Sequence, residues 1–225
     1  MGKIVLEVKN VSKIYNQGKD NEVAALKNID FKLARGEFVS IVGHSGSGKT
    51  TLLDIIGCLL RPTEGKVFVD GTETNRLGDT ELAKIRREKI GFVFQQYNLI
   101  QSYTALENVA LPLRISGKTK KAAEKKAKET LDAVGLGERL EHRPSQLSGG
   151  EQQRVAIARA IANDPSVILA DEPTGNLDTK TGEKVLNLFL DLSKKGYTLV
   201  MITHNPNISR LSHRVIKLKD GMVVK

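Results

Sequence analysis

Cysteine is nearly absent from this 225-residue chain: Cys58 stands alone. No disulfide framework can form within the chain, and a reducing compartment fits it best. Cys58 lies in the apolar run 55–60, where a small buried residue is the natural reading. Long hydrophobic runs are also missing. No segment approaches the ~20 apolar residues that a membrane span needs. The first residues, Gly2-Lys3-Ile4-Val5-Leu6-Glu7, carry charges too often to form a secretion signal. No internal repeat or low-complexity stretch is visible. With 40% hydrophobic and 27% charged residues, the composition is that of a globular domain with a sizeable core.

Acidic residues are outnumbered, and the net charge is +9. Much of the excess is local. Between Arg114 and Lys128 lie seven basic residues and one acid, Glu124. Such a run suits nucleic acid or an anionic lipid surface. No aromatic side chain interleaves it to stack on bases, so a solvated helix face is the preferred reading and no nucleic-acid partner is expected.

Short β-branched runs at 4–8, 29–33 and 38–42 read as strands. The pattern predicts a helix over 49–60, a strand over 66–69 ending at Asp70-Gly71, a helix over 79–88 and a strand over 90–94. Thr104-Ala-Leu-Glu107 is a capping box, so a helix starts there, and Pro112 is expected to end or kink it. Residues 120–134 read as a second helix with Ala127, Leu131 and Val134 on one face. Further along come a helix over 151–162, a continuous apolar strand over 166–170, an amphipathic helix over 179–194 and another apolar strand over 199–203. A hairpin turns at Asp220-Gly221 between 214–218 and 222–224. Fully apolar strands alternating with helices imply a central, largely parallel sheet covered on both faces. The expected organisation is one domain over 1–225. Residues 1–95 and 146–225 form its core lobe, and about 96–145 an inserted helical lobe.

The chemistry-bearing segment is Gly43-His44-Ser45-Gly46-Ser47-Gly48-Lys49-Thr50, which fits GxxxxGK[ST] with an apolar strand before it and a helix after. Glycines let the backbone wrap a phosphate without Cβ clashes. Successive N–H groups then point inward, and the helix start adds its positive end. Lys49 supplies a mobile charge for the β- and γ-phosphates, the Thr50 hydroxyl suits Mg²⁺, and Thr51 follows in the same binding set. His44 occupies a variable position and needs no role. Farther on, the strand Val167-Ile168-Leu169-Ala170 ends in Asp171-Glu172. Asp171 is placed to hold the Mg²⁺ shell and Glu172 to polarise a water.

Leu147-Ser148-Gly149-Gly150-Glu151-Gln152-Gln153-Arg154 resembles the signature sequence of ATP-binding cassette (ABC) proteins, whose other markers follow in order over residues 15–204. The resemblance implies that Tyr15 stacks on adenine and that Gln95 reaches Mg²⁺ and the attacking water; the family's spacing selects Gln95 over Gln96. It implies that Gly175-Asn176-Leu177-Asp178 crosses to a second subunit and that His204 contacts the γ-phosphate. Ser148, Gly149 and Gly150 would grip ATP held by another copy. The implied fold is an α/β P-loop NTPase with a largely parallel central sheet, an antiparallel β subdomain and an inserted helical subdomain.

The implied activity is ATP hydrolysis coupled to transmembrane transport, with ATP and Mg²⁺ as cofactors. The implied partners are a transmembrane permease, docking around 95–103, and a second copy in a head-to-tail dimer. The implied place is the cytoplasmic face of the cell membrane. Thr104-Ala-Leu-Glu-Asn-Val109 and Ala170-Asp-Glu-Pro-Thr-Gly-Asn-Leu-Asp178 are similar to the lipoprotein-release and macrolide-export branch. A cassette ATPase without a transport role, in cell-division signalling or on nucleic acid, is the competing expectation. On nucleic acid it would bring a coiled-coil insert or a second cassette, and neither is seen in the sequence; in cell-division signalling it would share every residue named here, and only its partner would set it apart.

Overall fold

The computed structural model describes residues 2–224, so the outermost bounds of the expected core lobe, residues 1 and 225, lie outside it. Two sheets organise the chain. In the first, β1 (Ile4–Tyr15) pairs antiparallel with β2 (Val23–Ala34) and with β4 (Glu64–Val69), which pairs with the short β5 (Thr72–Glu73). β1 and β2 each run 12 residues, longer than the sequence pattern predicts. The register of β1 slips between Val8 and Val11 and again before Lys13. Asn10 and Asn28 take positive φ there, a geometry asparagine tolerates better than most residues. These bulges break the alternation by which a strand is read.

The second sheet has the order β10-β9-β3-β8-β7-β6. Its members are β3 (Phe38–Val42), β6 (Ile90–Val93), β7 (Val167–Asp171), β8 (Leu199–Ile202), β9 (Arg214–Lys219) and β10 (Met222–Val224). All pairs are parallel except the β9–β10 hairpin. The inner strands are buried on both faces, and this is why they read as unbroken apolar runs. Their side chains alternate between two cores. Ile168, Ala170, Leu199 and Met201 join one core, shared with the helices of 105–161 and 179–194. Val167, Leu169, Val200 and Ile202 join the other, shared with the antiparallel sheet.

Helix α1 (Lys49–Ile56) is shorter than the predicted 49–60. Gly57 caps it, and Cys58 takes φ +58, so the apolar run leaves the helix while Cys58 stays buried. α2 (Asp79–Lys89) precedes β6. α3 (Ala105–Ile115) begins at the Thr104–Glu107 capping box, with both reciprocal bonds made. Pro112 does not end it. Proline removes one donor, but Val109, Ala110 and Leu113 are buried around it, and Asn163 Nδ2 donates to its carbonyl. α4 (Lys120–Ala133) and α5 (Gly149–Ile161) pack beside α3, and α6 (Thr179–Lys194) buries Val185, Leu186, Phe189 and Leu192. α7 (Pro206–Leu211), six residues long, is too brief to show a period in the sequence.

Candidate functional site

The loop from Gly43 to Gly48 joins the end of β3 to α1. Gly46 has φ +76 and Gly48 φ +99, a region that L side chains rarely enter. A Cβ on Gly46 would point into open space. On Gly48 it would lie 2.5 Å from the Ala25 carbonyl oxygen, so the loop rests directly on β2. The turn of the β9–β10 hairpin completes the seat: Gly221 N–H donates to Ser47 O at 3.2 Å and Lys27 N–H to Gly221 O at 2.8 Å.

The cleft above this loop has a volume of about 410 Å³. Ser45, Gly46, Gly48, Lys49, Thr50 and Thr51 enter it from the loop and α1, and Glu172 and His204 from the ends of β7 and β8. Lys49 is buried, and its ammonium donates to the carbonyls of Gly43 and His44 at 2.9 and 2.8 Å. The buried Ser47 hydroxyl has no hydrogen-bond partner. A helix start, glycines at positive φ and a buried cation suit a polyanion.

The acid side lies at the tip of β7. Burial lifts the Asp171 carboxyl above the usual carboxylate range, and Glu172 and Asp54 push the same way; Lys49 and His204 pull it back. Burial also raises the Asp54 carboxyl. Three acids around one lysine leave an excess of negative charge, which a divalent cation would relieve. Among the described residues no cluster of three or more His, Cys, Asp or Glu is arranged to hold a metal. Glu172 itself has φ +43, a strained backbone for a non-glycine residue, and its Oε1 lies 2.7 Å from His204 Nε2.

Other expected residues gather nearby or elsewhere. Tyr15 is 38% exposed, its hydroxyl is 3.4 Å from Thr51 Oγ1, and Lys13 Nζ sits 5.3 Å over its ring. Gln95 is engaged with the 175–178 loop: its Nε2 donates to Asn176 Oδ1, and Asn176 Nδ2 donates to Gln95 O, both at 3.1 Å. Asp178 caps α6, accepting from Thr181 N–H, and hydrogen bonding with the Thr181 side chain, then with its N–H, holds its carboxyl low. Ser148 caps α5 in a capping box with Glu151. The Ser148 backbone N–H heads the contacts that lower the Glu151 carboxyl. Ser148, Gly149 and Gly150 do not line the phosphate-loop cleft; Tyr97, Leu177 and Thr181 stand over the two glycines instead.

Ala25, Lys27 and Asp220 also line the cleft, and no local sequence signal marks them. Asp54 is a further acid near the site, and its place as the one acid of the apolar helix α1 is a signal the sequence carries. A second groove, about 310 Å³, runs between Arg86, Arg87, Phe92, Phe94, Asn98 and Arg159. Its two phenylalanine rings stack 5.5 Å apart, and Arg159 donates to Tyr97 O at 2.8 Å.

A family model described as ABC transporter matches residues 26–175. An uncharacterized ABC transporter ATP-binding protein of Thermotoga maritima is 56% identical over 98% of this chain and 94% of its own length. The macrolide export ATP-binding/permease protein MacB of Wolinella succinogenes is 49% identical over 99% of this chain, which spans only 34% of that protein. Among solved structures, an ATP-binding cassette described as a dimer in a post-hydrolysis state, bound to ADP and Pi, superimposes with a TM-score of 0.89. It is 52% identical, and the match covers 98% of this chain and 97% of that one.

Proposed function

The chain belongs to the ABC transporter family, and from that premise we propose a division of labour among its residues. The family makes it an ATP-binding, ATP-hydrolysing subunit of a transporter. In our reading the Gly43–Gly48 backbone and the Lys49 ammonium hold the phosphates, and Tyr15 takes the adenine. Thr50, Asp171 and Gln95 hold Mg²⁺, which supplies positive charge to the phosphate oxygens when bound. Glu172 orients and deprotonates the attacking water. His204 holds the Glu172 carboxylate in place and meets the γ-phosphate. Lys49 and the loop N–H groups stabilise the charge that spreads over the transferring phosphoryl group.

The observation that carries this reading is the Glu172 carboxylate. It projects from a strained strand end into the phosphate-loop cleft, 2.7 Å from His204. Ser148, Gly149 and Gly150 stand outside the cleft of their own chain, which supports their serving ATP on a second copy. A head-to-tail pair then closes on two ATP molecules, because closure alone completes the γ-phosphate contacts, and hydrolysis removes that preference. The likeness to a dimeric cassette supports the pairing. The likeness to an ATP-binding/permease protein supports a membrane permease partner, an export or lipoprotein-release role, and a place at the cytoplasmic membrane face. The permease would dock in the arginine-rimmed groove beside residues 95–103.

Glu172→Gln tests the assignment. ATP binding should persist, turnover should fall by about 10²–10⁴-fold, and ATP should yield a dimer on size exclusion. Normal turnover in that variant rejects the role of Glu172. A protein that stays single at saturating ATP and Mg²⁺ rejects the pairing.

A further inference from the structure

The basic run at 114–128 takes no part in the ATP site. In α4 the buried residues Ala123, Ala127, Thr130 and Leu131 form one stripe. Lys121, Lys125 and Lys128 are exposed and follow one another at spacings of four and three. At about 100° per residue they fall within a stripe roughly 60° wide, on the side of the helix away from the core. Arg114 and Lys118 are exposed where α3 leads into α4. None of these five has an ion-pair partner among the described residues; within the run only Lys120 and Lys126 do, with Glu124 and Asp164. Beside Arg114 stands Ile115, 57% exposed.

This surface adjoins the arginine-rimmed groove. Asn163 Nδ2 donates to both Arg87 O and Pro112 O at 3.1 Å, and Ser116 Oγ lies 3.2 Å from Asn163 Oδ1. The end of α3 is thereby fastened to the groove's wall. A permease seated in that groove would stand next to the end of α3 that carries Arg114 and Ile115.

We propose that the stripe Lys121–Lys125–Lys128, with Arg114, Lys118 and the Ile115 side chain, rests on the anionic headgroups of a lipid bilayer. The inference builds on the reading that the chain works at a membrane. A lipid surface needs no base-stacking aromatics, offers diffuse negative charge to flexible ammonium groups, and accepts an exposed isoleucine at its boundary. Nucleic acid would favour aromatic residues among the cations, and the run has none.

The test is flotation of the full chain, without nucleotide, on vesicles of phosphatidylcholine alone and of phosphatidylcholine with phosphatidylglycerol. Binding is expected only to the anionic vesicles and should be lost near ~0.5 M salt. Each lysine removed should weaken it about fivefold, so the triple variant Lys121→Gln, Lys125→Gln, Lys128→Gln should lose about a hundredfold. Its ATP hydrolysis in solution should match the parent's.

Equal binding to both vesicle types, or insensitivity to salt or to the triple variant, overturns the proposal. So does filter retention of DNA or RNA that depends on the stripe, without flotation. Hydrolysis without flotation defeats the lipid contact and leaves the ATPase reading standing. Flotation without hydrolysis supports the contact and counts against that reading.

Discussion

Gly48→Ala should separate the seat of the phosphate loop from its ligand-facing side. At φ +99 an alanine backbone is strained by about 1–2 kcal/mol. Its Cβ would also stand 2.5 Å from Ala25 O and 2.8 Å from the Leu26 side chain. The carbonyl is fixed in β2, so the loop must lift, and overpacking of this kind costs about 1–3 kcal/mol. The sum is about 2–5 kcal/mol. For a chain of this length each kcal/mol moves the melting temperature by about 2–4 °C, so a fall of roughly 4–20 °C is expected by calorimetry without nucleotide. Gly46→Ala is the control. Its φ is +76 but its Cβ meets nothing, so it keeps the strain and escapes the overlap. It should melt above Gly48→Ala and yet weaken ATP binding, because the methyl enters the space over the loop. A Gly48→Ala protein that melts within about 1 °C of the parent would refute the reasoning.

Lys49→Ala should weaken nucleotide binding by at least tenfold in calorimetric titration, since it removes the buried cation of the cleft. Asn108→Leu should cost about 2–4 kcal/mol in urea unfolding: its buried carboxamide satisfies Ile100 N–H and the carbonyls of Ile100, Tyr103 and Thr104. Asp171→Asn should abolish turnover while raising the nucleotide-free melting temperature at neutral pH. The raised carboxyl of Asp171 contributes its stability when protonated, complete below the unfolded value and lost as pH climbs through the folded one. The gain from Asp171→Asn should therefore shrink on acidification; a melting difference independent of pH would count against it.

The β3 boundaries were legible because a short run buried on both faces ends at the glycine loop, and the whole of α6 because its hydrophobic period and its Asp178 cap agree. The same rules failed where a single residue leaves its region of φ,ψ space. Asn10 and Asn28 hide the length of β1 and β2, and Cys58 turns an apolar run out of α1. α3 continues past Pro112 because neighbouring packing, invisible in a local window, outweighs its missing donor. At the site, the residues belonging to a continuous motif were identifiable by spacing. The contribution of Ala25, Lys27 and the 220–221 turn was not, since it arises where two sheets meet. The engagement of Gln95 with Asn176 likewise joins positions 81 residues apart.

That Gln95–Asn176 pair has a practical corollary. Both members are carboxamides, so the clasp carries no charge and gains or loses no proton across the physiological range. Salt screening should weaken the ion pairs of the molecule, His204 with Glu172 among them, while leaving it fastened. Only something that competes for its amide groups can undo it, so communication between these two loops should follow occupancy and be deaf to buffer.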